Sequence, residues 1–300
     1  MPKNIVVLSD GTGQEGGKEY KHDSNVHKLF RMLENRTSRQ VVFYDRGLGT
    51  NWLRITGNAF GAGFSRNVLE CYDFIFQNYQ AGDRVYLFGF SRGAYTVRSL
   101  SGFIHLYGVL PKSRPDLIKK AWKRYRGRVK LPGWRKRRDA AAPKFKRRHN
   151  AMWVKIRFLG VWDTVGALGF PFKRVAGVFD WVPWFKHKFH ETGLSPSVDR
   201  GCHALAIDDE RKSFHPTLWE EPNTKIDQVW FAGMHTDVGG GYPDSGLSDI
   251  TLQWMVRHAL QHDLLLYHKH EVDGNPQPAG KMHDSREGMG RLYRRETRTW

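Results

Sequence analysis

The chain has 300 residues, 40% of them hydrophobic, with a formal net charge of +18 and two cysteines. That length and apolar content suffice for one sizeable core, so a single domain with decorations is expected over residues 1–300. Cys71 and Cys202 are too few for a disulfide framework, and neither has the paired Cys/His spacing of a zinc site.

The opening residues Met1-Pro2-Lys3-Asn4 run directly into the first apolar run, Ile5–Leu8, which is too short for the core of a secretory signal and is followed at once by an acid and glycines. Synthesis in the cytoplasm without a Sec signal is therefore expected, any export taking a non-Sec route. No run approaches the roughly 20 apolar residues of a membrane-spanning helix, so contact with a membrane is expected to be peripheral. Further runs suited to buried parallel strands follow at Val41–Tyr44, Val85–Phe88, Ile156–Val161, His203–Ile207 and Val229–Ala232. Apolar residues recur at helical spacing over Val26–Leu33 and Val68–Tyr79, and Ala94–Phe103 continues the helical pattern after the third strand. The alternation predicts an α/β fold with a mostly parallel central sheet covered by helices. In such a sheet reactive groups belong at the carboxyl ends of the strands. Asp10-Gly11-Thr12-Gly13 follows the first run, Asp45-Arg46-Gly47-Leu48-Gly49 the second and Ser91 the third, while Asp163 and His235 follow later ones.

The positive charge is local. Between Lys112 and Asn150 stand seventeen Lys/Arg against two Asp, which leaves about +3 for the remainder and marks 112–150 as a basic insertion. Within Pro115–Tyr125, residues Leu117, Ile118, Ala121, Trp122 and Tyr125 share one helical face. That pattern suits a helix packed on the domain and also an interfacial helix on anionic lipid. Arg126–Arg148 has Pro, Gly and Ala but no regular apolar period, and a flexible loop is expected there. Anionic phospholipid, nucleic acid and an acidic partner protein would all be drawn to such charge. A second decoration, the aromatic-rich 170–190, follows Asp163 closely and suits either a flap over the active site or an apolar cover of the core.

The third strand ends in Gly89-Phe90-Ser91-Arg92-Gly93, the spacing of a nucleophile elbow, in which glycines two before and two after the serine permit a strained strand-to-helix turn. A serine hydroxyl at neutral pH needs a base, a group to orient that base, and donors for the developing oxyanion. His235, directly after the last strand, is the candidate base; Asp163, after the fourth, is the candidate acid, giving the chain order Ser, acid, His. A turn or helix-capping aspartate and a loop histidine are the competing readings of these two residues. His283 in Met282-His283-Asp284-Ser285 is a rival base, and Asp237, two residues from His235, a rival acid or a supporting group.

Several blocks together resemble the α/β-hydrolase catalytic domain of type VI secretion phospholipase effectors (Tle-type) and their relatives. They are Leu8-Ser9-Asp10-Gly11-Thr12, Ser24-Asn25-Val26, Tyr44–Thr50, Gly89–Ala94, Gly160–Val165, His203–Asp209 and His235–Tyr242, in order along the chain. The resemblance implies an α/β-hydrolase fold and a triad of Ser91, Asp163 and His235. It also implies that the Asp10-Gly11-Thr12 loop lies near an oxyanion hole. Arg92 would supply one donor through its backbone N–H, and Gly11 or Thr12 the other.

The expectation is a serine esterase that cleaves carboxylic esters through an acyl-enzyme, most directly a phospholipase acting on membrane lipid, with secretion or immunity partners. A small-ester esterase or thioesterase keeps the same chemistry. A non-catalytic hydrolase-like protein that binds nucleic acid or an acidic partner through 112–150 is the alternative of a different class. No cofactor is expected, and no metal: Asp10, Asp237 and Asp244 offer oxygen ligands but lack calcium-loop spacing.

Overall fold

The computed structural model describes residues 2–11, 23–47, 57–127, 133–166, 193–220, 223–267 and 274–299. Six strands form one parallel sheet: β1 (Asn4–Ser9), β2 (Gln40–Asp45), β3 (Arg84–Phe90), β4 (Ile156–Trp162), β5 (Gly201–Ala206) and β6 (Ile226–Phe231). Their spatial order is β2-β1-β3-β4-β5-β6. Each of the six apolar runs of the sequence falls on one of these strands, His203–Ile207 and Val229–Ala232 running one residue past the strand ends. β6 begins three residues before its run because it is an edge strand, only half-buried, where Asp227 and Gln228 are tolerated.

The helices are α1 (Asn25–Met32), α2 (Gly57–Asn78), α3 (Arg92–Tyr107), α4 (Asp116–Arg126), α5 (Trp134–Arg148), α6 (His235–Gly239) and α7 (Gly246–Leu260). Alternate strand residues point to opposite faces. Ile5, Val7, Val85 and Leu87 therefore pack with Tyr72 and Phe76 of α2 and Val97 and Phe103 of α3. Val6, Leu8, Tyr86 and Phe88 pack on the other side with Leu29 of α1 and Leu252 and Met255 of α7. Covering both faces with helices is what makes the inner strands read as continuous apolar runs. β1 has β2 on one side and β3 on the other, so strand order reverses there and opens a crevice at the carboxyl ends. This is the α/β-hydrolase arrangement, and Ser91 stands at that crevice.

Most described residues of the basic insertion lie in α4 and α5. On α4, Leu117, Ile118, Ala121, Trp122 and Tyr125 are all buried, with Trp122 and Tyr125 set around Phe103 of α3 at ring separations of 5.4 and 5.5 Å. The apolar face is thus spent on the domain, as the packed-helix reading requires. The loop expected over Arg126–Arg148 is corrected: Trp134–Arg148 is α5, carrying Pro143 within it. Its buried face is Arg138, Ala142 and Phe145, spaced four and three apart. Phe145 meets Tyr107 edge-on at 5.3 Å, while the Arg138 guanidinium lies 5.1 Å from both the Tyr125 and Trp134 rings. Because an arginine fills one of three inward positions through cation–π contacts, the helix has no apolar period to read.

Among the described residues no helix is long and apolar enough to cross a membrane. Cys71 and Cys202 are both buried free thiols. The aromatic-rich stretch Phe170–Phe189 lies outside the described residues.

Candidate active site

Ser91 stands between β3 and α3 with φ 56°, a left-handed conformation rare for a residue with a side chain. Its flanking glycines are required by contact. A Cβ on Gly89 would lie 2.6 Å from the Gly93 carbonyl, and one on Gly93 would lie 1.9 Å from the Ser9 carbonyl oxygen of β1. The turn is tied to the sheet by the Ser91 N–H, which donates to the Trp162 carbonyl at 3.1 Å.

Asp163 follows β4 and is fully buried, with φ 34°. Its own N–H donates to the Ala204 carbonyl at 2.7 Å, and the Ala206 N–H donates to its Oδ1 at 3.1 Å, so β5 fixes both backbone and carboxylate. His235 opens α6 just beyond β6. Its Nδ1 lies 2.6 Å from Asp163 Oδ2 and its Nε2 lies 2.8 Å from Ser91 Oγ. With Nδ1 protonated the ring donates to Asp163, and Nε2 is left to accept the serine hydroxyl proton. The ring is held by Phe90 at 4.6 Å and by the edge of Phe214 at 5.1 Å. Gly239 makes room for Phe90, since a Cβ there would sit 1.9 Å from that ring.

Electrostatics follow from burial and partners. Burial pushes the Asp163 carboxyl up, but the Arg298 cation and the His235 hydrogen bond outweigh it and hold the group well below the usual carboxylate range. Burial lowers His235, against the opposing pull of Asp163 and Asp209, so the ring is neutral and able to act as a base at neutral pH.

The remaining candidates fall in distinct places. Arg92 is the first residue of α3, directly after Ser91. Gly11 N–H donates to Asp10 Oδ1 at 2.7 Å, and Thr12 lies outside the described residues. Asp10 is buried and accepts from Ser24 Oγ at 2.5 Å and Tyr44 OH at 2.7 Å; burial raises its carboxyl to about 6 despite these donors. It braces the start of α1, where Ser24 caps the helix by accepting the His27 N–H. His283 is not beside the serine: its Nδ1 lies 2.6 Å from Asp237 Oδ1, and the Tyr242 ring stacks over it at 3.8 Å. Asp237 also accepts the N–H groups of Met234 and His283, so it fixes the approach to α6 and does not touch the His235 ring through a hydrogen bond. Asp244 comes within 4.0 Å of His283 Nε2. The one metal-like grouping among the described residues is Cys202, Asp227 and His258, where Asp227 already pairs with Arg200.

Two supports went unread in the sequence. Asp209 accepts the His235 N–H at 3.2 Å and is gripped by Arg211 at 2.6 Å. Arg298 donates to both oxygens of Asp163. Asp209 lay within a noted block, His203–Asp209, but without an assigned role; Arg298 had no local signal at all.

A family model described as "T6SS, Phospholipase effector Tle1-like, catalytic domain" matches residues 3–258. An uncharacterized protein of Saccharomyces cerevisiae is 28% identical over 232 residues, which is 71% of this chain and 32% of the yeast protein. Among solved structures, an uncharacterized protein from Pseudomonas aeruginosa superposes with a TM-score of 0.57 at 17% identity, covering 88% of this chain and 46% of that one. A Tle1 effector bound to the VgrG spike of the type 6 secretion system gives a TM-score of 0.43 at 17% identity, over 80% of this chain and 52% of that one. The chain thus spans about a third of the yeast relative and about half of each of these two structures.

Proposed function

The chain belongs to the type VI secretion phospholipase effector Tle1-like catalytic domain family, and from that premise we propose that it is a serine hydrolase cleaving carboxylic esters of phospholipids through an acyl-enzyme. The observation that carries the reading is the continuous chain of contacts from Ser91 Oγ to His235 Nε2 at 2.8 Å and from His235 Nδ1 to Asp163 Oδ2 at 2.6 Å.

In the proposed reaction Ser91 Oγ attacks the ester carbonyl while its proton passes to His235 Nε2, and the carbonyl electron pair moves onto oxygen. Asp163 stays ionised, holding the tautomer and the imidazolium. The oxyanion is met by backbone N–H groups, one from Arg92 at the start of α3, where the helix dipole adds to it. Of the two candidates for the second donor, Gly11 already gives its N–H to Asp10 Oδ1, which favours Thr12. Collapse of the intermediate breaks the ester C–O bond, and the leaving alcohol takes the proton from Nε2. Water, deprotonated by the same nitrogen, then releases the carboxylic acid and restores Ser91.

The lipid assignment rests on family membership and on the basic surface of α4 and α5. Lys119, Lys120, Lys123 and Arg124 of α4 and Lys144, Arg147 and Arg148 of α5 are exposed. Since the apolar face of α4 packs on α3, contact with an anionic membrane would be made by cations at the headgroups and not by insertion. Non-Sec secretion and a partner that carries or neutralises the protein belong to the same proposal.

The test is product analysis by mass spectrometry on a mixed bacterial phospholipid extract, comparing the protein with its Ser91→Ala variant. Fatty acid and lysophospholipid released only by the serine form are expected. Equal products from both, or no fluorophosphonate adduct on Ser91, would reject the serine mechanism.

A further inference from the structure

Arg298 belongs to none of the sequence blocks above and lies beyond residue 258, where the family match ends. Its side chain is nonetheless buried against the carboxylate that orients His235. Nη1 donates to Asp163 Oδ1 at 2.7 Å and Nη2 to Oδ2 at 2.9 Å, while the same two nitrogens donate to the Ala206 and Phe214 carbonyls, each at 2.5 Å. Four donor contacts of one guanidinium are thus committed within the site.

The arginine is delivered by a strap. Residues 294–296 run along the segment after β5, with Lys212 N–H donating to the Arg294 carbonyl and Glu296 N–H to the Glu210 carbonyl, both at 2.9 Å. Arg211 and Arg295 form an antiparallel bridge between the two stretches. Tyr293 meets Phe214 edge-on at 5.4 Å, and Phe214 in turn backs the His235 ring. Strap, ring and base form one contact chain.

We propose that Arg298 is a positioning residue for the hydrolytic reaction, clamping Asp163 in the rotamer and charge state that hold His235 against Ser91. The proposal rests on the Ser91, His235 and Asp163 reading above. Three physical arguments carry it. A carboxylate sealed from water is held ionised only by a partner charge or donors, and the guanidinium supplies both. The planar fork matches the two carboxylate oxygens, which fixes the rotation of the group; Oδ1 then receives Arg298 and the Ala206 N–H, and Oδ2 receives Arg298 and His235. Asp163 also sits at a left-handed φ, a conformation that persists only when its surroundings over-determine it.

The clamp has a second effect. By sharing the negative charge of Asp163, the cation weakens the pull of that carboxylate on the imidazolium and so restrains the basicity of His235. Among the described residues, the other charged or titratable groups facing this cluster are Asp208, Asp209 and Arg211 from the segment after β5, and His203 of β5. A change at Arg298 leaves all of them in place.

The experiment uses the full chain with p-nitrophenyl ester hydrolysis and fluorophosphonate labelling of Ser91 as probes. Arg298→Met is expected to lower kcat/KM by about 10²-fold near neutral pH, the cost of a misplaced base. It is also expected to move the acid limb of the profile upward by about one pH unit, because His235 gains basicity. Arg298→Lys restores the charge without the fork, so the limb returns toward its original pH while only part of the rate returns. In an Asp163→Asn background, Arg298→Met should cost little further rate. Arg295→Ala, on the exposed outer side of the strap, should leave rate and limb unchanged. Should Arg298→Met fail to fold, the Lys variant and the double variant carry the measurement. A proportionate loss at every pH with an unmoved acid limb, or full additivity with Asp163→Asn, overturns the clamp while the labelled serine stands. An unlabelled wild type overturns the triad, and the clamp with it.

Discussion

Gly93 of α3 rests against Ser9 of β1 so closely that a Cβ on the glycine would lie 1.9 Å from the Ser9 carbonyl oxygen. Nothing at that contact is a flexible side-chain end; both partners are backbone. Gly93→Ala must therefore push the start of α3 off the sheet, and Ser91 with it. The expected cost is about 1–3 kcal/mol of stability, read as a lowered urea midpoint. Ester turnover should fall by more than the loss of folded protein, because the elbow that presents Ser91 is displaced even in molecules that fold.

The two histidines separate cleanly. His235→Ala removes the only imidazole in contact with Ser91 among the described residues, so turnover should fall by about 10³-fold or more. His283→Ala leaves Asp237 without its 2.6 Å partner but still accepting two backbone N–H groups. It should retain most activity while lowering thermal stability. Initial rates and melting curves on both variants check the assignment, and a dead His283→Ala with a native melting curve would reverse it.

The pattern of legible and illegible features has a physical basis. Both the parallel sheet and the elbow were legible because buried strands need continuous apolar runs and a strained turn needs small neighbours at fixed positions. Ser91, Asp163 and His235, which the structure brings into contact, could be singled out because each follows a strand at one rim of the sheet. Arg298 was not, since a residue that joins the site by a long-range ion pair leaves no periodicity around it. α5 was missed for a related reason: Arg138 does inside the protein what an apolar residue usually does, so its helix looks solvated from end to end.

Activity should follow the protonation of His235. Burial lowers the folded-state value of His235 below that of a free imidazole, and in the proposed mechanism the ring works only when neutral. As pH falls, the rate should decline at a lower pH than the titration of a free imidazole would give. The profile of kcat/KM against pH for a neutral ester substrate reads this directly. An acid limb at or above about 6.5, the value for an unperturbed histidine, would contradict the buried, neutral base.

Asp10 makes the opposite kind of prediction, about stability. Its folded-state value of about 6 exceeds the ordinary aspartate value of 3.8, so the folded protein holds a proton that the unfolded chain has released between those pH values. Stability from this group is complete below about 4 and is lost as pH rises toward 6, by roughly 1.4 kcal/mol per pH unit or about 3 kcal/mol in all. Asp10→Asn keeps an oxygen acceptor for Ser24 and Tyr44 without the buried charge. Unfolding free energies of the two proteins should therefore diverge in favour of the variant across that interval, and parallel curves would mean that the carboxylate is better solvated than its surroundings imply.

The basic helices offer a final test in which packing and charge are uncoupled. Phe145 is buried against Tyr107 and holds α5 on α3, so Phe145→Ala should cost about 3 kcal/mol. The outward cations do none of that work. Reversing Lys119, Lys123, Lys144 and Arg147 to Glu should leave the melting temperature and the hydrolysis of a soluble short-chain ester nearly unchanged. Co-sedimentation with vesicles rich in phosphatidylglycerol should nevertheless be lost, as should added salt's ability to weaken it. Because the apolar face of α4 is already buried, binding to neutral phosphatidylcholine vesicles should be weak for both proteins. Strong, salt-insensitive binding to neutral vesicles would instead require apolar insertion from elsewhere in the chain.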